Sequence, residues 1–295
     1  MTQRSLWAAA VALGAALTGG AVSPAPAGAA EARAVTEKTF EFAPGGEVAI
    51  DNQNGRITIE AWDRPRVRIQ VTRVARASDD AKARAYLKEI RADVEIRRGK
   101  LEIVSRYPKR KETTGLFAIL VERVASFQTH YYLQVPVETA LELETANGLV
   151  RVRGTRGAVR AETTNGNIEI AGVAGPMDTH STNGGIEVRS ASGSLSAETT
   201  NGPILAELKS LDREGGVTLE TTNGNVRLYL PSAVRADLAA ETTNGRVSIS
   251  FPVSDTETMT SKSVRGTING GGTEVSLSTT NGDIDVRRLG ERGAR

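Results

Sequence analysis

From Leu141 onward, apolar and polar positions alternate with period two on both sides of a recurring Asn-Gly pair. The asparagines are Asn147, Asn165, Asn183 and Asn201 at a spacing of 18, then Asn223 after 22, Asn244 after 21 and Asn281 after 37. Three and five residues after each stand Val150/Val152, Ile168/Ile170, Ile186/Val188, Ile204/Ala206, Val226/Leu228, Val247/Ile249 and Ile284/Val286. Six and four before stand Leu141/Leu143, Val159/Ala161, Met177/Thr179, Leu195/Ala197, Val217/Leu219, Leu238/Ala240 and Val275/Leu277, and two before is always Thr or Ser. Period two predicts half-buried strands, two per repeat, with no room for a helix. The gap of 37 predicts a degenerate copy at Arg265-Gly266, with Ile268 keeping the following apolar position. Asn54-Gly55 is an isolated early copy, and Asn269 is out of phase.

Two all-β architectures fit this pattern. Asn-Gly between alternating strands is a strong hairpin signal, which would build an antiparallel meander or a propeller. Alternatively each repeat of ~18 residues is one coil of a parallel β-solenoid, stacked on the next at ~4.8 Å. Three features favour the solenoid. Stacked coils profit from identical neighbours, because Asn and Thr columns can hydrogen-bond along the stack. A hairpin at Asn165 would also oppose Glu162 to Glu169, and it would set Pro203, which has no N–H, where the ladder begins. A direct amide contact between Asn165 and Asn183 separates the two models, since hairpins keep them apart.

Ahead of the repeats, Val48, Ile50, Asn54-Gly55, Ile57 and Ile59 form a first corner, and Val67–Val71 continues as a strand. Ser78 is an N-cap candidate for a short helix over about 79–90, with Asp79 and Asp80 in its first turn. Val94–Ile96 and Leu101–Val104 read as a hairpin around Arg98-Gly99, Tyr107–Gly115 as a basic loop, and Ala118–Val135 as strand. A solenoid end left bare is a sticky edge, and the helix is expected to cover one.

Residues 1–30 have the layout of a secretory signal peptide: Arg4, an apolar run over Leu6–Val22, and a small-residue end with cleavage after Ala29 or Ala30. The run is shorter than a spanning helix needs and is broken by Gly14, Gly19 and Gly20. The organisation expected is therefore a leader over 1–30, an irregular β part over 31–140, the repeats over 141–289 continuous with it, and a tail over 290–295. Export implies a periplasmic, cell-surface or secreted protein with no later transmembrane span and no nucleic-acid partner. The basic cluster Lys109-Arg110-Lys111 then reads as a solvated loop.

Composition fits many thin cores. The 295 residues hold 30 Gly, 5 Phe, 5 Tyr, 2 Trp and no Cys, so branched aliphatics and Ala must fill the interior, and disulfides, thiolate metal sites and a cysteine nucleophile are excluded. Net charge is only +2.

The chain carries two histidines, His130 and His180. His130 falls in a strand and reads as structural. His180 occupies the position held in other repeats by Glu144, Glu162, Glu198, Glu220 and Glu241, with Ser278 ending the series. The primary reading of this column is a solvated face whose repulsion is relieved by Arg160, Arg151 and Arg227. The second is cation binding by Glu162, His180, Glu198, Glu220 and Glu241, although the spacing of calcium-binding β-rolls is missing. The third is a carbohydrate-facing acidic surface. No nucleophile elbow, phosphate loop, dinucleotide fingerprint or His-Glu-x-x-His occurs, so no catalytic residue and no cofactor is implied. The distinctive polar residues recur in every repeat, whereas a catalytic residue is needed once. Departures from the repeat at His180, Lys209–Glu214 and Asp255–Arg265 are weak pointers to anything else.

An exported chain with the lead Ala34–Phe42, then Gly46–Ile59, then Tyr132–Pro136 and tandem Glu-Thr-Thr-Asn-Gly-x-Ile repeats resembles the bacterial "putative adhesin" families of DUF4097 type over about residues 36–289. That resemblance implies a β-solenoid-like, envelope-associated protein and supplies no catalytic residues. The expected function is a non-enzymatic structural or adhesin-like protein of the cell envelope whose partner is an envelope polymer or surface protein. The alternatives are a polysaccharide-binding or polysaccharide-cleaving β-helix protein and an envelope-stress sensing partner.

Overall fold

The computed structural model describes residues 30–108, 125–212 and 215–291. The expected leader, the Lys109–Lys111 cluster and residues 118–124 of the expected strand lie outside the described residues.

Before the repeats come β1 (Ala30–Glu41), β2 (Glu47–Asn54), β3 (Ile57–Trp62), β4 (Arg66–Ala77), α1 (Asp80–Glu89), β5 (Arg91–Arg97), β6 (Lys100–Arg106) and β7 (Ser126–Pro136). The repeats supply strand pairs: β8 (Ala140–Asn147) with β9 (Val150–Arg153), β10 (Val159–Asn165) with β11 (Ile168–Ala171), and β12 (Met177–Asn183) with β13 (Ile186–Ser192). Next come β14 (Leu195–Asn201) with β15 (Ile204–Ser210), β16 (Val217–Asn223) with β17 (Val226–Leu230), and β18 (Ala236–Asn244) with β19 (Val247–Ile249). After β20 (Val253–Met259) and β21 (Ser263–Ile268), β22 (Thr273–Asn281) and β23 (Ile284–Arg288) complete the set.

Each Asn-Gly corner sends its two strands into different sheets, so the flanking strands are not hairpin partners. One sheet runs β1-β4-β7-β3-β9-β11-β13-β15-β17-β23-β19 and the other β20-β21-β18-β22-β16-β14-β12-β10-β8-β2-β6-β5. Between the ends, neighbours are parallel and, apart from a register shift late in β13 against β15, residues meet their counterparts in the next repeat: Val159 opposes Met177 and Leu141, and Asn165 opposes Asn183 and Asn147. The result is all-β, with two mostly parallel sheets and one helix among the described residues, an arrangement that a solenoid fits.

The corner glycines are fixed by stacking. A two-residue hairpin turn of type I′ needs φ > 0 at both Asn and Gly, but none of the corner pairs from Asn147-Gly148 onward has positive φ. Instead a Cβ on Gly184 would lie 1.9 Å from the Gly166 carbonyl, and one on Gly166 equally close to that of Gly148. No side chain fits where successive backbones approach so closely.

The inward positions of both sheets form one apolar cluster from Phe42 to Val286. Its rings lie at the ends, Phe42 and Tyr131 at one and Phe251 at the other, while the coils between bury Val, Ile, Leu, Ala and Met. The early corner is part of the same stack, with β2 beside β8 and β3 beside β9.

Four sequence expectations change. Arg265-Gly266 is no corner; it lies in β21, antiparallel to β18. The coil of Asn281 is not the last in space, because β22 sits between β16 and β18 and β23 between β17 and β19. The helix is capped by Asp79, whose side chain accepts from the Lys82 amide, and not by Ser78. That helix covers a separate small cluster of Ala32, Ala77 and Ala83, and antiparallel strands close the main stack: β4 and β1 beyond β7, β5 beyond β6, and β21 and β20 beyond β18.

These outer strands are poor templates for another chain. Strand β1 alternates charges and pairs Glu31 with Arg76 and Glu37 with Arg68. Strand β20 breaks its register with β21 at Ser254/Thr258, with Asp255 in the left-handed region.

Candidate functional site

Stacking lines up three polar columns on the 12-stranded sheet and its corner. At the corner, the Asn side chains donate in one direction along the stack: Asn147 Nδ2 to Asn54 Oδ1 at 2.8 Å, then Asn165 to Asn147, Asn183 to Asn165, Asn201 to Asn183 and Asn223 to Asn201, each at 2.9 Å. Asn281 donates to Asn223 at 2.8 Å, and Asn244 to Asn281 at 2.9 Å. The Asn165–Asn183 contact is the one that hairpins forbid.

Two residues earlier, inward-facing hydroxyls satisfy the corner carbonyls of the previous coil: Thr163 to Gly148, Ser181 to Gly166, Thr199 to Gly184, Thr221 to Gly202, Thr279 to Gly224 and Thr242 to Gly282. At the first coil this position is Asn52, buried, which donates to the carbonyls of Gly55 and Thr129 and accepts from Ser105 and Tyr107. Asn52 thereby takes the carbonyl that Thr145 would use, and the Thr145 hydroxyl is buried without a partner.

His130 sits in β7, where its Nδ1 accepts from the Arg56 amide at 3.0 Å. Burial first, then the charge of Arg56, pushes its pKa below the ordinary value. Beside it Tyr131, pushed upward by burial, places its hydroxyl 2.6 Å from Ser105 Oγ. His130 and Tyr131 both sit on β7, between β3 and β4 toward the N-terminal end of the stack.

On the outer face runs the acidic column. In register it reads Asp51, Glu144, Glu162, His180, Glu198, Glu220, Ser278, Glu241. His180 Nε2 is 2.9 Å from Asp178 Oδ1, and its Nδ1 is 3.3 Å from Glu198 Oε2. Of the three arginines expected to relieve the column, Arg160 does so, paired with Glu162 and at 2.7 Å with Asp178. Glu162 above all holds the Arg160 guanidinium above its ordinary pKa. Arg151 and Arg227 face outward on the other sheet, against Glu169 and Asp285. Among the described residues no group of three or more His, Asp or Glu converges to hold a metal, so the column does not gather Glu162, His180, Glu198, Glu220 and Glu241 into a cation cage.

Sequence reading missed a groove. It crosses the starts of β8, β10, β12, β14 and β16 at right angles, with a volume of about 380 Å³ and a mostly apolar lining. Its lining includes Ala140, Ala158, Pro176 and Ser194 together with the charged Glu142, Arg160 and Asp178. The signal was present: seven residues before the Asn stand Ala140, Ala158, Pro176, Ser194 and Gly216, all small. With six strands at ~4.8 Å, from Glu47 to Thr218, the groove is about 24 Å long. Of the other pointers, the Asp255–Arg265 insert belongs to the β20–β21 hairpin, away from the groove. Lys209 and Ser210 end β15, and Arg213 and Glu214 lie outside the described residues.

A repetitive two-sheet stack with continuous polar columns and a crossing groove defines an all-β repeat protein. Residues 139–287 match the family described as Toastrack DUF4097, and the chain belongs to that family. No curated protein matches it. Solved structures similar to it include a "putative adhesin" from Bacteroides fragilis, at 10% identity and TM-score 0.37, covering 87% of this chain and 97% of that one. Another, from Parabacteroides distasonis, is 13% identical at TM-score 0.36, with 87% and 97% covered. A "putative cell adhesion protein" from Clostridium sporogenes is 11% identical at TM-score 0.29, with 86% and 100% covered. Among the described residues, no helix is long and apolar enough to cross a membrane.

Proposed function

We propose that this protein is a non-enzymatic, exported β-repeat protein of the bacterial cell envelope, in which the Asn-Gly repeats continue directly from the irregular β part before them. It holds an extended glycan strand of the envelope along its stack. The observation that carries this reading is the groove, whose mostly apolar lining runs across six neighbouring strands and includes Glu142, Arg160 and Asp178. Small apolar residues let an extended strand lie close to the sheet, and Glu142, Arg160 and Asp178 in the lining can hydrogen-bond its hydroxyls; Arg160 and Asp178 are paired across coils at 2.7 Å. The groove is long rather than deep, which suits an extended polymer, and the leader layout of residues 1–30 supports export. The Asn column is the staple that keeps the coils in register.

The test is co-sedimentation of the chain lacking the leader with insoluble peptidoglycan and a glycan panel. Binding without turnover is expected, reduced at least tenfold by Arg160→Ala with Asp178→Ala, while the melting temperature stays near that of the unaltered chain. Cleavage of any glycan, or binding indifferent to both substitutions, would overturn the proposal.

A further inference from the structure

The coils are not stacked in chain order. The coil β22–β23 fills a slot between the β16–β17 coil and the β18–β19 coil, both earlier in the chain. Every corner carries nearly the same Thr-Thr-Asn-Gly, so backbone register does not choose this order. Single side chains do. Ser278 stands between Glu220 and Glu241, which would otherwise be neighbours in the acidic column. Asp285 pairs with Arg227 on the other sheet at 3.7 Å, a partner that Ser248 of β19 could not replace. Asn225 Oδ1 accepts the Asp283 amide, and Asp283 Oδ1 accepts the Arg246 amide, each within 3 Å, so the inserted corner is hydrogen-bonded on both faces, as Asn167 bonds the Gly185 amide elsewhere in the stack. What suits this coil to the slot is therefore Ser278 and Asp285.

The coil is joined to β21 by one short, glycine-rich link. Asn269-Gly270-Gly271-Gly272 carries the chain round the start of β18 from one side to the other, with φ of 52°, 81° and 74° at the first three residues. The link is held from one side only by the 232–237 segment: Arg235 donates to the carbonyls of Gly270 and Gly271, and Asn269 to those of Ser232 and Val234. Meanwhile the outer strands are guarded by charge and by a broken register, which disfavours edge-to-edge addition of another molecule.

We propose that the coil Thr273–Arg288 is exchanged between copies of this chain: it leaves its own slot and fills the identical slot of a second copy, which returns its own. The Asn, Thr, Asp and Arg partners of the slot are recreated across the two molecules, and only the link differs, which is the condition under which element swapping is cheap. The exchange closes on itself as a two-fold pair.

The chain has no cysteine, so introduced ones report alone. Glu241 and Ser278 are exposed partners in β18 and β22. Full chains carrying Glu241→Cys or Ser278→Cys, mixed in denaturant and refolded together, are expected to give a disulfide-linked species of twice the chain mass that contains one of each, its yield falling on dilution. The chain bearing both substitutions closes the bond internally, which checks that the pair can form. Light scattering of the unaltered chain refolded at the same concentrations is expected to show the same dimer. Monomers alone at every concentration overturn the proposal, and so does a dimer in which the two variants never link.

Discussion

At the scale of single residues, the repeats are specified by which hydroxyl or amide meets which atom of the next coil. The Thr column and the Asn column differ in burial, and this decides their worth. Asn183 is solvent-facing, so water can replace its amide partners if it is truncated. Thr199 is buried and donates at 2.9 Å to the Gly184 carbonyl. Thr199→Val keeps the shape but strands that carbonyl, which costs about 1–3 kcal/mol. Thr145→Val is the opposite case. Its hydroxyl is buried without a partner because Asn52 has taken the Gly55 carbonyl, so its removal is expected to be neutral or to stabilise by up to about 1 kcal/mol. Urea unfolding of the two variants measures both; equal losses would mean that the column does not act through the corner carbonyls.

At the scale of the coil, the corner is held by closeness of backbones. Gly184→Ala puts a methyl 1.9 Å from a carbonyl of the adjacent coil, and the backbone must shift; the expected cost is about 3 kcal/mol or more. Gly172 has φ of 64° and open space around it. Gly172→Ala therefore bears only left-handed strain, about 1–2 kcal/mol. A larger loss at Gly172 than at Gly184 in thermal melting would reverse this account. The period-two alternation made the strands legible, and the repeated Thr-Thr-Asn-Gly made their stacking legible, because identical residues gain from meeting each other. Coil order was not legible for the same reason: identical faces fit any neighbour. What breaks the degeneracy is Ser278 and Asp285, two short polar residues that look like ordinary repeat variation until their partners are known. Part of the groove's lining was legible as small residues seven before Asn147, Asn165, Asn183 and Asn201, but small size alone is also what a tight bend demands. At the ends of the stack the β5–β6 hairpin and the Val67–Val71 part of β4 were legible, but the pairing of β4 with β1 and β7 was hidden, because it depends on contacts far apart in sequence.

At the scale of the whole molecule, the stack is a series of thin cores joined face to face. Rings occur where the series ends, at Phe42, Tyr131 and Phe251, because the coils between offer only narrow aliphatic slots. Each coil touches mainly its two neighbours, so stability is a sum of coil terms and interface terms, as in one-dimensional repeat proteins. Leu219, fully buried in β16, tests this. Leu219→Ala removes core volume at a cost of about 2–5 kcal/mol. In a stack, the loss is felt first by the coils that touch β16, namely β14 on one side and β22 on the other. Native-state hydrogen exchange should then show amide protection falling most in β14, β16 and β22, and least in β2, β3 and β7 at the far end. An equal fall over every segment would mean that the protein opens only as one cooperative unit. Because β22 belongs to the coil that fills the slot, the same variant should also loosen that coil, so protection in β23 should fall with it even though β23 lies in the other sheet.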